Sequence, residues 1–138
     1  MFIKYLKINK RSNLNFLYKN KLVIFGYYGI KVVKFTVVYS KQLEVIRRLI
    51  SRIGKRKIII FFRIFFYHPR TKKPLNSRMG KGIGQLFIWV AYIKKGSILL
   101  ELSNVTFQLS SNILKLIKLI FNFKIFLVTK KIINKWLL

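Results

Sequence analysis

The alternation of apolar and polar positions predicts short strands at the start of the chain. The segments KLVIFG (21–26) and IKVVKFTVVY (30–39) are runs of β-branched and aromatic residues, and YYG separates them. Such runs on either side of a glycine-containing break are typical of two strands around a turn.

A helix is predicted at residues 40–54, where apolar residues recur at steps of three and four. Ser40 is suited to the N-cap and Gly54 to the C-cap. The predicted inward residues are Leu43, Ile46, Leu49, Ile50 and Ile53. The opposite face and the residues after the helix carry Arg47, Arg48, Arg52, Lys55, Arg56 and Lys57. Glu44 lies one turn from Arg47 and Arg48, where we expect a local ion pair.

Residues 58–66, IIIFFRIFF, are apolar at both alternating sets of positions and predict a central strand covered on both faces, with Arg63 as its one charge. Residues 67–85 then hold both prolines of the chain and three glycines. A loop of this length in a small domain is typically functional or disordered. Its cations are Arg70, Lys72, Lys73, Arg78 and Lys81.

The segments LFIWVAYI (86–93) and SILLELS (97–103) flank KKG and predict a β-hairpin that turns at Gly96. A second helix is expected to begin at Ser110 or Ser111, with Ile113, Leu116, Ile117 and Ile120 inward, and KIFLVTK (124–130) predicts a last strand. Strands with two interspersed helices and a hairpin favour an α+β fold: an antiparallel or mixed sheet with two helices packed on it. We divide the chain into a basic arm (1–21), one α+β domain (22–130) and a basic and apolar tail (131–138).

The charge of the chain is strongly unbalanced. Its 138 residues include 29 Lys and Arg against two acids, for a net charge of +27. Because a compact body with this charge repels itself, we expect a polyanionic partner, either a nucleic acid or an anionic membrane surface. The cations are spread along the whole chain, which favours RNA that surrounds the protein. No stretch approaches the roughly 20 apolar residues of a membrane-spanning helix.

Few residues could support catalysis. The chain has no Cys, no Asp, one His and two Glu, so we expect neither a metal site nor an enzyme, and no cofactor. The glycine-rich segment NSRMGKGIGQ (76–85) is also unlike a nucleotide-binding loop, because Lys81 is followed by Gly82 where a P-loop needs Ser or Thr. This segment instead indicates a flexible cationic loop whose backbone can approach phosphate.

Residues with AT-rich codons, Phe, Tyr, Met, Ile, Asn and Lys, make up just over half of the chain, and Ala occurs once. This bias indicates translation from an AT-rich genome. Mitochondria and reduced bacteria have such genomes.

Five segments occur in the order and spacing of one known family. They are FGYYGIKVV (25–33), SKQLEVIRRLISRIGKR (40–56), FRIF (62–65), TKKPLNSRMGKGIG (71–84) and WVAYIKKGSILLEL (89–102). In these segments the chain resembles the universal large-subunit ribosomal protein L-sixteen. One departure is Ile83, where family members usually carry another lysine.

The resemblance implies an α+β protein embedded in large-subunit rRNA close to the aminoacyl-tRNA, which supports subunit maturation and translation without being an enzyme. It implies that neighbouring ribosomal proteins are further partners, and we expect no homo-oligomer. Arg78 matches an arginine that is hydroxylated in some bacterial relatives. The divergence and the codon bias favour a mitochondrial ribosome and an organelle-encoded gene, with a plastid-type organelle or an AT-rich bacterium as alternatives.

The candidate rRNA- and tRNA-binding residues are the cations named above together with the glycine loop. They are Arg47, Arg48, Arg52, Lys55, Arg56, Lys57, Arg63, Arg70, Lys72, Lys73, Arg78, Met79, Gly80, Lys81 and Gly82. Two other functions remain open: a membrane-surface protein that binds anionic lipid, and a non-specific DNA-binding protein.

Overall fold

The computed structural model describes residues 21–80 and 82–130, and these contain seven strands and two helices. The elements in chain order are β1 (Tyr28–Val32), β2 (Thr36–Tyr39), α1 (Ser40–Ile53), β3 (Ile59–Phe62), β4 (His68–Lys72), β5 (Gln85–Ile93), β6 (Ile98–Ser103), α2 (Phe107–Ile120) and β7 (Ile125–Thr129). The predicted α+β class is confirmed. The arm at residues 1–20 and the tail at 131–138 lie outside the described residues, as does Lys81.

The strands pair antiparallel and the two helices pack on them, as predicted, and they form two sheets. One sheet has the order β3, β6, β1, β7 and the other the order β2, β5, β4. Both sheets contribute to one hydrophobic core: Ile30 and Leu100 from the first pack in the same cluster as Val38 and Ala91 from the second.

The two helices cover this core with their apolar faces. Leu43, Ile46 and Ile50 of α1 are buried, as the three- and four-residue spacing predicted, and so are Ile113 and Ile117 of α2. Leu116 was predicted to point inward, but it is exposed, because it lies at the rim of the apolar stripe.

The predicted helix starts need correction. Helix α1 begins at Ser40 itself, and its N-cap is Tyr39, whose backbone N–H donates to the Gln42 Oε1 at 3.0 Å. Helix α2 begins several residues before the predicted start, because Thr106 serves as its N-cap and accepts a hydrogen bond from the Leu109 N–H. The C-cap at Gly54 is confirmed.

The prediction of a hairpin between β5 and β6 is wrong. These strands belong to different sheets, so the KKG segment is a crossover between sheets. The Gly96 N–H donates to the Val32 carbonyl at 2.8 Å, and the Val32 N–H donates to the Ser97 carbonyl at 3.0 Å. The turn is therefore bonded to the end of β1. Gly96 does have the left-handed backbone that the turn requires, with φ of 81°.

One further strand prediction and one loop prediction are wrong. Residues 58–66 do not form a central strand: β3 spans only Ile59–Phe62 and is the edge of its sheet, with Ile59 and Phe62 exposed. The predicted loop at residues 67–85 begins with β4, which pairs with β5 along the edge of the other sheet. An edge strand tolerates Pro69, which has no N–H to donate.

The predicted strand at residues 21–26 is also absent, and β1 begins after it at Tyr28. The backbone N–H groups of Ile24, Phe25 and Gly26 converge on one oxygen of the Glu101 side chain, at 3.1, 2.7 and 2.8 Å. Three successive amides aimed at one carboxylate oxygen cannot pair in a strand, so this segment wraps around an anion instead.

Candidate nucleic-acid interface

The interface begins with a row of cations along the exposed side of α1. Lys41, Arg48 and Arg52 follow one another at spacings of seven and four residues, which places them on one side of the helix, and all three are exposed. A basic stripe therefore runs along α1 from its first turn to its last.

Glu44 is the only acid near this stripe, and it is engaged by two arginines. Arg47 donates from Nη2 to Oε1 at 2.8 Å and from Nε to Oε2 at 3.0 Å, while Arg48 donates from Nε to Oε1 at 3.1 Å. The predicted local ion pair is thus confirmed. The hydrogen bonds from Arg47 are the main reason that the pKa of Glu44 lies at about 2, below its usual value near 4.5.

The chain leaves α1 through a cationic turn. Lys55 and Arg56 have left-handed backbone, with φ of 46° and 64°, and the Arg56 N–H donates to the Ser51 carbonyl at 3.0 Å. Lys55, Arg56 and Lys57 are all exposed. The positive charges therefore cluster at the C-terminal end of the helix dipole, where they are also favourable for the helix.

Arg63 differs from the other candidate cations. Its side chain is 11% exposed, and Nε lies 3.4 Å from the Oε1 of the buried Glu101. The guanidinium also lies over the Phe25 ring, with Cζ 4.9 Å from the ring centroid. Because the charge of Arg63 is already paired inside the protein, its position argues against the predicted phosphate contact, and we leave it out of the interface.

The ribbon formed by β4 and β5 carries the second group of cations. Arg70, Lys72 and Lys73 are exposed, and the Arg70 Nη1 donates to the Tyr39 hydroxyl at 3.2 Å. This bond ties β4 to the start of α1. The stripe on the helix and the cations of the ribbon therefore meet.

The glycine-rich loop at the end of the ribbon is open to its surroundings. Arg78 is exposed and Met79 is 99% exposed. Gly80 and Gly82 have φ of 88° and 75°, and a Cβ atom at either position would meet nothing within 4 Å. The backbone of this segment can therefore be approached closely by another molecule, as phosphate recognition by a loop requires.

Gly84 has a different role from the two glycines before it. A Cβ at Gly84 would lie 2.4 Å from the Lys72 carbonyl oxygen. The absence of a side chain thus lets the loop close onto the end of β4. The spacing of the three glycines in the sequence did not show that Gly84 packs against β4 while Gly80 and Gly82 are open to solvent.

His68, the first residue of β4, lies beside the cations of the ribbon. His68 is half-buried, packs edge-on against the Tyr92 ring at 5.3 Å between centroids, and has a pKa lowered by burial and by Arg70. Within residues 21–80 and 82–130, no three His, Cys, Asp or Glu side chains come together as metal ligands would. None of the described helices is long and apolar enough to cross a membrane.

The sequence pattern of the family Ribosomal protein L16p/L10e matches residues 3–128 of the chain. The chain belongs to the L16p/L10e family. Three bacterial relatives, each named Large ribosomal subunit protein uL16, show the extent of the similarity. The Acinetobacter baylyi protein is 37% identical over 94% of both chains, and the protein of Buchnera aphidicola subsp. Baizongia pistaciae is 41% identical over 92% of this chain and 93% of its own. The Blochmanniella pennsylvanica protein is 43% identical over 70% of this chain and 72% of its own.

The L16p/L10e match contains every candidate binding residue of the interface. It also reaches back to residue 3, so most of the segment that we separated as an arm belongs to the matched region. One cation that the sequence analysis missed is Lys41, which lies in the first turn of α1. The helical spacing predicts that Lys41 lies in a row with Arg48 and Arg52, but the sequence did not show that it lies beside Phe87 of the ribbon.

Proposed function

We propose that this protein is a structural constituent of the large ribosomal subunit and binds large-subunit rRNA. Family membership carries this proposal, since the chain is similar over most of its length to proteins named Large ribosomal subunit protein uL16. The charge supports it independently, because a net charge of +27 calls for a polyanion around the protein.

The proposed rRNA-binding surface consists of the stripe on α1, the turn after it, the ribbon and the glycine loop. Its residues are Lys41, Arg47, Arg48, Arg52, Lys55, Arg56, Lys57, Arg70, Lys72, Lys73, Arg78, Met79, Gly80, Lys81 and Gly82. Lysines supply point charges for phosphate, and arginines add a planar fork that binds phosphate bidentately or stacks on a base. Because Glu44 already pairs with Arg47 and Arg48, we expect these two to contribute less than Arg52 and Lys55.

The glycine loop is the part that we propose to lie near the aminoacyl-tRNA, where it supports subunit maturation and translation. The open backbone at Gly80 and Gly82 and the exposed Arg78 support this role, because they leave the backbone and a cation of the loop accessible to RNA. The family consists of structural ribosomal proteins, and we propose no reaction and no cofactor for this chain. Its other partners are neighbouring ribosomal proteins, and it functions without forming a homo-oligomer.

For the location we propose the mitochondrial ribosome, with the protein encoded in the organelle. The AT-rich codon bias supports this choice, while the similarity to bacterial proteins is equally compatible with a plastid-type organelle or an AT-rich bacterium. Fractionation of source cells, followed by detection of the protein in purified mitochondria or elsewhere, distinguishes these locations.

Sedimentation of ribosomes through a sucrose gradient tests the function. We expect the protein in the large-subunit fractions, and its absence from them, in a preparation that retains other subunit proteins, would overturn the proposal. Tight binding to anionic vesicles without preference for RNA would instead favour a membrane-surface protein. Equal affinity for duplex DNA and structured RNA would favour a non-specific DNA-binding protein.

A further inference from the structure

An exposed aromatic ring lies where the stripe on α1 meets the ribbon. Along β5, Ala91 and Ile93 are buried, and Trp89 on the same face is half-buried. The next residue in this series is Phe87, which is 55% exposed. The pairing of β4 with β5 shifts at this point, since Arg70 pairs with Ile88 and Thr71 with Leu86, so Phe87 has no partner opposite it in β4. The strand thus presents a phenylalanine to solvent at the irregularity.

Two lysines from different elements flank this ring. The Lys72 Nζ lies 5.4 Å and the Lys41 Nζ 5.6 Å from the centroid of Phe87. Both lysines are exposed. Cation–π contacts at exposed sites are weak, and the flexible stems of lysine allow the ammonium groups to move to a nearby anion. A planar group of another molecule can thus stack on the Phe87 ring, either beside the ammonium groups or in their place.

A groove of about 290 Å³ adjoins the ring. Pro74, Leu75 and Leu86 give it apolar walls, while Gln85 and the two lysines Lys72 and Lys73 supply polar groups at its border. This volume is near the lower end of the roughly 300–1,000 Å³ of small-molecule pockets, and it suits one flat ring system better than a larger ligand. The amide of Gln85 can both donate to and accept from the edge of a base.

We infer that Phe87 is a stacking platform for one unpaired nucleobase of the rRNA, and that Lys41 and Lys72 bind the phosphates beside that base. The chemistry of a nucleotide fits each part of the site: the base offers a π-face to the ring and the backbone offers negative charge to the lysines. A partner protein could cover an exposed phenylalanine, but it would also have to bring acids to Lys41, Lys72 and Lys73. Unpaired RNA supplies both features in each nucleotide. The inference rests on the proposed function and specifies one contact within it.

Affinity measurements with the full-length protein test this contact. The probes are a single-stranded adenosine 12-mer and an RNA duplex of the same length, measured by fluorescence anisotropy at 200 mM salt, where phosphate contacts are weakened. Phe87→Leu keeps an apolar side chain but removes the aromatic face. We expect it to weaken single-strand binding by about 5- to 150-fold, the range for loss of one stacked base, and to leave duplex binding unchanged.

Three variants complete the design. Phe87→Tyr retains an aromatic face and should bind the single strand as the unaltered protein does. Phe126→Leu changes an exposed phenylalanine on β7, in the other sheet, and should have no effect. Lys41→Gln should reduce the slope of log affinity against log salt by about one, whereas Phe87→Leu should leave the slope unchanged.

Equal single-strand affinity of Phe87→Leu and the unaltered protein would overturn the inference, and so would an equal loss on the duplex. Ultraviolet crosslinking of the assembled large subunit gives a second reading: a crosslink from Phe87 to a nucleotide supports stacking, and burial of Phe87 against another protein refutes it. If these measurements refute the stacking of Phe87 but the protein is still found in the large-subunit fractions, the proposed function stands. Absence of the protein from those fractions would remove both.

Discussion

The guanidinium of Arg63 and the carboxylate of Glu101 form an ion pair inside the protein, with Nε and Oε1 3.4 Å apart. Glu101 is fully buried, and its other oxygen accepts the amides of residues 24–26. A buried carboxylate is tolerated only when charge and hydrogen bonds compensate for its lost hydration. One acid thereby fixes the segment before β1 against β6 and holds Arg63 in place.

We predict that Glu101→Gln destabilises the protein by about 3–5 kcal/mol, because it leaves the buried charge of Arg63 without its partner. The neutral amide is nearly the same size as the carboxylate, so the loss reflects charge and hydrogen bonding more than packing. The midpoint of urea unfolding, followed by circular dichroism, measures the change.

Glu44→Gln is the matched control for this variant. It makes the same chemical change at the other acid of the chain, where the ion pairs are exposed on the surface. Water screens exposed ion pairs, which therefore contribute little to stability, so the control should unfold close to the unaltered protein. Similar midpoints for the two variants would contradict the structural role of Glu101.

The sequence predicted the elements that depend on local spacing. The inward residues of α1, its C-cap at Gly54 and the strand β7 follow from three- and four-residue steps, a glycine and a β-branched run within a few residues. These patterns decide local structure because the interactions that stabilise it lie within the same segment.

Two of the wrong predictions concern segments whose partners lie far away in the chain. The segment at 21–26 has the composition of a strand, but Glu101, about 75 residues later, takes its amides. The KKG turn resembles a hairpin, but its hydrogen bonds go to β1. The ion pair of Arg63 with Glu101 likewise joins residues that are far apart in the chain. The partner of Arg63 could not be identified from spacing.

The three glycines of the ribbon and its loop should respond differently to substitution. We predict that Gly84→Ala destabilises the end of β4 by about 1–3 kcal/mol, because its Cβ would overlap the Lys72 carbonyl. Hydrogen exchange of the amides of β4 should become faster. Gly80→Ala is the control: its strain is confined to an open loop, so exchange in β4 should not change. Unchanged exchange in Gly84→Ala would contradict the close approach.

The carboxyl group of Glu44 should titrate at a pH well below the usual range of a glutamate. The pKa of Glu44 is about 2 in the folded protein and near 4.5 without its partners. The stabilisation is therefore complete above pH 4.5 and is lost as the pH falls toward 2. The carboxyl carbon signal of Glu44 in NMR, assigned by its absence in Glu44→Gln, measures the titration. A midpoint near 4.5 would show that the contacts with Arg47 and Arg48 do not persist in solution.

RNA binding should depend steeply on salt. If about six to ten cations of the interface contact phosphate, affinity for a large-subunit rRNA fragment should fall by on the order of 10³ to 10⁵ between 50 and 200 mM salt. Filter binding across this range measures the slope. A shallow slope would argue against a surface dominated by phosphate contacts.

Substitutions in the glycine loop should impair function without affecting the fold. We predict that Arg78→Ala combined with Lys81→Ala impairs subunit maturation or tRNA accommodation while the protein still folds, because an exposed loop contributes little to the core. The measurements are the yield of mature large subunits in a strain that carries the variant and the unfolding midpoint of the purified protein.

Lys115→Ala combined with Lys118→Ala is the control, since it removes two exposed cations from α2, outside the proposed interface. Equal maturation defects in both double variants would mean that total charge matters and the position of the loop does not. Loss of the fold in the loop variant alone would show that the loop supports the structure. A defect in maturation with an unchanged midpoint, confined to the loop variant, is the outcome that we expect, because the exposed Arg78 lies beside the open backbone of Gly80.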